Sequence, residues 1–148
     1  MGPYNSFSGE LRAEAQRWLN MMVACGKLVR PKVCMACGQD QGPIDMHAED
    51  YSKPFALRKT DEFHLCFSCH LACHCRFKNP GAWDHYRDQI ARGWRYPAIG
   101  RNFPLFIRRF NGGSFLDTAL EFDAQPRTAF PLNVIDTWLL DHTGKGWR

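Results

Sequence analysis

Two Cys-x-x-Cys pairs, Cys34/Cys37 and Cys66/Cys69, constrain this chain more than any other feature of it. A gap of two residues lets one tight turn aim both sulfurs of a pair at the same ion, and Zn²⁺ accepts four thiolates in a closed tetrahedron. The pairs predict a structural zinc that clamps the segment at 34 to the segment at 66, with Gly38 turning the backbone beneath the metal. Seven cysteines, four of them so arranged, fit a reducing compartment where thiols ligate metal better than a secreted disulfide framework. Of the remaining three, Cys25 is expected as a small core residue. Cys73 and Cys75 flank His74 and raise the competing idea of a second zinc site with His70 and His74. Their different angles on a helix argue against it.

Between and just after the cysteine pairs lie His47, Asp61, His64, His70 and His74, more imidazole and carboxylate than a zinc clip requires. His70 and His74 are four apart, so on a helix that follows Cys69 they share a face and can hold a second ion together. Ile44 to Ala48 reads as a short strand carrying His47, entered from the Gly42-Pro43 turn, and Asp61 to Leu65 as a second strand. His64 is a spare candidate ligand.

The order His47, Asp61, Leu65-Cys66-Phe67-Ser68-Cys69-His70, His74 resembles the HNH nucleases, the ββα-metal or His-Me finger group, in a version clamped by a four-cysteine zinc site. The phrase HAEDYSKP is similar to wording found in small HNH-like proteins of bacteria and their viruses. The resemblance covers roughly residues 27 to 78. It implies a catalytic pair, with Asp61 fixing the tautomer of His47 so that the imidazole serves as general base. It also implies a catalytic divalent cation, Mg²⁺ or another, on His70 and His74, and metal-assisted hydrolysis of a DNA phosphodiester. Two positions depart from the family's pattern. Met46 stands where Asp or His normally supplies a metal ligand, leaving Asp45, Glu49 and Asp50 as candidate oxygen donors, and Asp61 stands where Asn is usual.

Charge placement supports a polyanionic partner. The net charge is only +4, but residues 1 to 33 carry +3, residues 34 to 75 carry −3, residues 76 to 111 carry +6 and the remainder −2. The negative block coincides with the expected metal sites and the positive block follows at once, an order that suits DNA lying across both. Arg58, Lys59, Arg76, Lys78, Arg95 and Arg101 are the candidate nucleic-acid contacts. A non-catalytic zinc module that binds nucleic acid, or a protein-binding adaptor, fits the same composition. No apolar run is long enough for a membrane span and no signal peptide is evident, so the expectation is a cytoplasmic protein, bacterial or phage-encoded, with no membrane contact.

The expected fold class is α+β: a zinc-stapled ββα-metal finger with flanking helices and a mostly helical C-terminal extension. Residues 1–33 form a loose N-terminal arm (1–9) and an amphipathic helix from Glu10 to Cys25, capped by Ser8, ended by Gly26 and covering the zinc module. Residues 34–78 form the finger, its helix running from Cys69 to about Phe77. Residues 79–148 form the basic, aromatic extension. There Asn79-Pro80 starts a helix to about Arg92 with Trp83, Tyr86 and Ile90 inward. Residues 93–104 form a broken loop, 114–123 a further helix, 125–131 a linker and 132–140 a last short helix.

Overall fold

The computed structural model describes residues 1–56, 62–92, 94–96, 98, 100–112 and 120–121. Within them the architecture is α+β, with four helices and two small antiparallel two-stranded sheets. Helix α1 spans Gly9–Ala24; Ser8 accepts from the Leu11 N–H at 3.2 Å, and Gly26 ends the helix in the left-handed region that a glycine tolerates best, φ +76°. It meets the expected module through the segment that follows the first strand. Its Arg12 lies over the Tyr4 and Tyr51 rings and its Trp18 meets Phe55 at 6.1 Å, so it covers the N-terminal arm and the segment after the first strand. Cys25 is exposed, not a core residue, because it caps the free end of this helix.

Strand β1 (Ile44–Ala48) pairs antiparallel with β2 (Glu62–Cys66) in the register Ile44 to Cys66 and His47 to Phe63. Cys66 closes the hairpin and, in extended conformation, is also the residue from which α2 (Phe67–Cys75) departs. The helix therefore starts two residues before Cys69 and ends before Phe77, placing Cys69, His70, Cys73 and His74 in its successive turns. Helix α3 (Pro80–Ala91) has proline in its first turn and Asn79 accepting from the Ala82 N–H at 3.1 Å. Helix α4 (Phe103–Gly112) is capped by Asn102, which accepts from the Leu105 N–H.

The core lies between the finger and these helices. Leu65, Ala72, Trp83, Tyr86, Ile90, Phe106 and Phe110 are buried against the four finger cysteines, with Phe106 and Phe110 stacked at 5.3 Å. Finger and extension thus share one hydrophobic core. Strand β3 (Trp94–Arg95) pairs with β4 (Leu120–Glu121), so part of the segment expected as a helix over 114–123 is a strand. The arm expected to be loose is tied down: Tyr4 is buried, and its backbone exchanges two hydrogen bonds with Phe7. Arg58, Lys59, Asp61 and the segments 125–131 and 132–140 lie outside the described residues. No helix among the described residues is long and apolar enough to cross a membrane.

Candidate metal centres

The four cysteines Cys34, Cys37, Cys66 and Cys69 form one buried group that could hold a zinc ion. The first pair is a tight loop in which Gly38 donates to the Cys34 carbonyl at 3.0 Å and the Cys34 N–H donates to Gln39 at 2.9 Å. Met35 donates to the His64 carbonyl at 2.8 Å, which docks that loop on β2. Cys37 Sγ and Cys66 Sγ are 3.8 Å apart. A tetrahedral Zn–S₄ centre with bonds of about 2.3 Å has an edge of about 3.8 Å, so the spacing fits that ion. Hydrogen bonding to Cys34 raises the Cys66 and Cys69 thiols, whereas Cys34, against its burial, is pulled down by Cys37, Cys66 and Cys69. Thiols packed this closely do not share charge easily unless a cation joins them.

A second group lies on the other side of the hairpin–helix junction. One ring nitrogen from each of His47, His70 and His74 falls within 4.8 Å of the others, and the ring centroids are 4.7 to 5.1 Å apart. His70 and His74, one turn apart on α2, bring Nε2 to Nε2 at 3.0 Å. With one proton between them that contact is an N–H···N hydrogen bond. If an ion replaces the proton it is close to the edge of a coordination shell, about 3.3 Å for Zn–N bonds near 2.0 Å.

Carboxylates orient two of the three rings. Asp45 Oδ2 accepts from His70 Nδ1 at 2.9 Å and is itself held by Arg101. Although partial burial works against its charge, His70 and Arg101 hold the Asp45 carboxyl down at about 2. Glu49 Oε1 lies 2.8 Å from His47 Nε2. Glu49 also receives the Tyr4 hydroxyl at 2.8 Å, both Arg76 contacts through Nη2 at 3.0 and 3.1 Å, and Asn5 Nδ2 at 2.9 Å. Burial disfavours the Glu49 charge, yet these donors keep its carboxyl below the usual range. A carboxylate so supplied makes Nε2 the protonated nitrogen of His47. Nδ1 of His47 is then a buried lone pair with no hydrogen-bond partner among the described residues. Burial pushes the His47 imidazolium down to about 4, and burial also lowers His74, with His47 and His70 adding to the effect. Neutral imidazoles with free lone pairs are what a divalent ion needs. Carboxylate–histidine pairs behind them are the usual support of such a site.

Several expected site residues fall elsewhere. Asp61 lies outside the described residues, and the group that orients His47 here is Glu49. His47 itself is 1 % exposed. His64 pairs with Met46 across the hairpin and does not join the imidazole group. Arg76 is a correction: its side chain is fully buried between Glu49, Tyr4 and the Cys73 carbonyl, so it cannot contact a nucleic acid. Lys78 and Arg101 are exposed; Arg95 belongs to β3. Cys73 lies 3.7 Å from His47 Nε2 and 3.8 Å from Glu49, a third donor group that shares His47 with the second. The Arg76 guanidinium 3.0 Å from that sulfur makes it a poor place for another cation.

The supporting carboxylates had a signal in the sequence. Asp45, His47 and Glu49 are spaced by two, which along a strand puts them on one face, and Met46 is out of phase with that face. Tyr4 had none, since it reaches Glu49 across 45 positions. Comparison with models of protein families, with curated proteins and with solved structures finds no match for this chain.

Proposed function

We propose that this protein is a metal-dependent DNA hydrolase of the HNH type, in which a structural zinc on Cys34, Cys37, Cys66 and Cys69 holds the hairpin on α2 and a second divalent cation is held by His47, His70 and His74. The observation that carries this reading is the convergence of three imidazoles from a strand and a helix, two of them backed by carboxylates. A divalent cation held by His47, His70 and His74 would supply Lewis-acid chemistry, polarisation of a phosphoryl oxygen and acidification of a water. His47 acts as a ligand in this reading and not as the general base first expected, because a base must reach the attacking water and this ring is buried. Asp45 and Glu49 keep the ring protons on the nitrogens facing away from the ion. Arg101, 61 % exposed at its side chain beside Asp45, is in this reading a phosphate contact.

The test is plasmid cleavage with Mg²⁺, Mn²⁺ or Ni²⁺ by the wild type, His47→Ala and His74→Ala, with zinc content measured on each preparation. The expected result is cutting by the wild type and at least a hundredfold loss in both variants, about 3 kcal/mol of barrier, while one zinc per chain is retained. Absent cutting by the wild type, or equal cutting by all three, overturns the reading. A second reading is favoured by the burial of His47, which leaves the expected base without access to solvent: a non-catalytic zinc module that binds nucleic acid. Salt-sensitive DNA binding with no metal-dependent cutting supports that one.

A further inference from the structure

A cleft of about 450 Å³ opens beside the imidazole group, between α1 and the hairpin–helix junction. His70 and Asp45 form one end of it. Its rim carries Arg30, whose Nη2 donates to Asn20 on α1 at 3.1 Å, and Arg101, whose guanidinium donates to both oxygens of Asp45. The remaining wall is mixed: Gln16 and Asn20 of α1 supply polar side chains, and Met1, Met46, Phe67 and Leu71 the apolar part, with Phe67 and Leu71 resting on the core with only part of their surface buried. Two guanidiniums held by neighbouring acceptors, an aromatic ring and a volume in the range of small-ligand sites together recognise a phosphate joined to a flat apolar group. A duplex, at a width near 20 Å, is too broad to enter such a space, whereas one unstacked nucleotide of a flexible strand fits the combination of charge and aromatic surface.

We infer that this cleft binds a single nucleotide of an unpaired DNA strand, its phosphate against Arg30 and Arg101 and its base against Phe67 and Leu71, so that the adjoining phosphodiester is presented at His70. The inference rests on the hydrolase reading in taking a phosphodiester as the ligand, and it is tested by binding alone. Asp45 has two partners in this arrangement. It fixes the His70 ring, and it restrains Arg101 at the rim in an orientation that needs little ordering when the phosphate arrives.

Fluorescence anisotropy of a labelled oligothymidylate and of a duplex of equal length, titrated with the full zinc-loaded chain and no other added metal, reads the strand preference. The unpaired strand is expected to bind at least tenfold more tightly than the duplex. Arg30→Ala and Arg101→Ala each lower the dependence of affinity on salt by about 0.7 in log–log slope, the value for one contact to a single strand. Phe67→Leu weakens binding at least fivefold with the slope unchanged, as loss of stacking and not of charge. Arg101→Lys keeps the slope, and Arg92→Ala, at the exposed end of α3, changes neither quantity. Circular dichroism and zinc content confirm that each variant is folded. Equal or tighter duplex binding, or slopes that ignore both arginines, overturns the inference even if the protein cuts DNA. Strand-selective binding through these residues upholds it even if no cutting is found and the hydrolase reading falls.

Discussion

Glu49 is the residue on which the interior depends most. It is a buried carboxylate that receives Tyr4, Asn5, His47 and Arg76, and its charge balances a guanidinium that is equally buried. Burying an ion pair is not in itself stabilising, because desolvation offsets the attraction, but removing one member leaves the other charged and unsolvated. Glu49→Ala is therefore expected to cost about 3–5 kcal/mol in urea unfolding, whereas Glu49→Leu combined with Arg76→Met recovers much of that loss. A single variant no less stable than the wild type by more than about 1 kcal/mol would show that Arg76 is satisfied without it. Tyr4 is a further residue of this set. Burial raises its pKa, so its hydroxyl stays protonated and donates to Glu49, while its ring lies 4.2 Å from that of His74.

At the scale of elements, the hairpin and α2 form a unit whose fixed point is Cys66, which ends β2, precedes α2 and joins the thiol group. Two five-residue strands and a nine-residue helix are too short to be stable in isolation, so the proposed zinc is expected to supply the closure. Cys66→Ser should lower bound zinc from one per chain to well under one and abolish the cooperative thermal transition. Full cooperativity in the absence of zinc would assign the closure to the apolar core alone. The local parts of this unit were legible in the sequence: the cysteine spacing, the strand through His47, the caps Ser8 and Asn79, and the helical repeat from His70 to His74. Each depends on residues within about four positions of one another. What was not legible depends on long range. Tyr4 reaching Glu49 and Arg76, and Asp45 reaching Arg101, bridge segments 45 to 72 positions apart. The arginine count of the basic block could not reveal that Arg76 turns inward to a carboxylate on another element. Likewise Trp94–Arg95 reads as loop because its partner, Leu120–Glu121, is distant.

For the molecule as a whole, the arm, the hairpin and α2 meet around the buried His47 ring, and this gives the fold a pH dependence. In the unfolded chain an imidazole takes its proton near its ordinary value of 6.5, whereas the buried His47 resists until about 4. Between those values unfolding takes up a proton, so the stability conferred by the neutral buried ring is complete above 6.5 and is lost as the pH falls toward 4. For one such group the slope is about 1.4 kcal/mol per pH unit. His74, lowered first by burial and then by the neighbouring His47 and His70, acts in the same direction and extends the loss further into acid. Asp45 and Glu49 have depressed carboxyls, so their contribution also declines on acidification, only at lower pH. A cation on the imidazoles would compete with the same protons and keep the sign. Urea midpoints recorded from pH 7.5 to 4 should decline steeply below about 6.5, and His47→Gln, which carries no titrating ring, should flatten the upper part of that decline even if its absolute stability is lower. A wild-type midpoint constant across this range would mean that His47 takes up its proton as readily in the folded protein as in the unfolded chain. The His47 ring would then be open to solvent and not a buried member of the imidazole group.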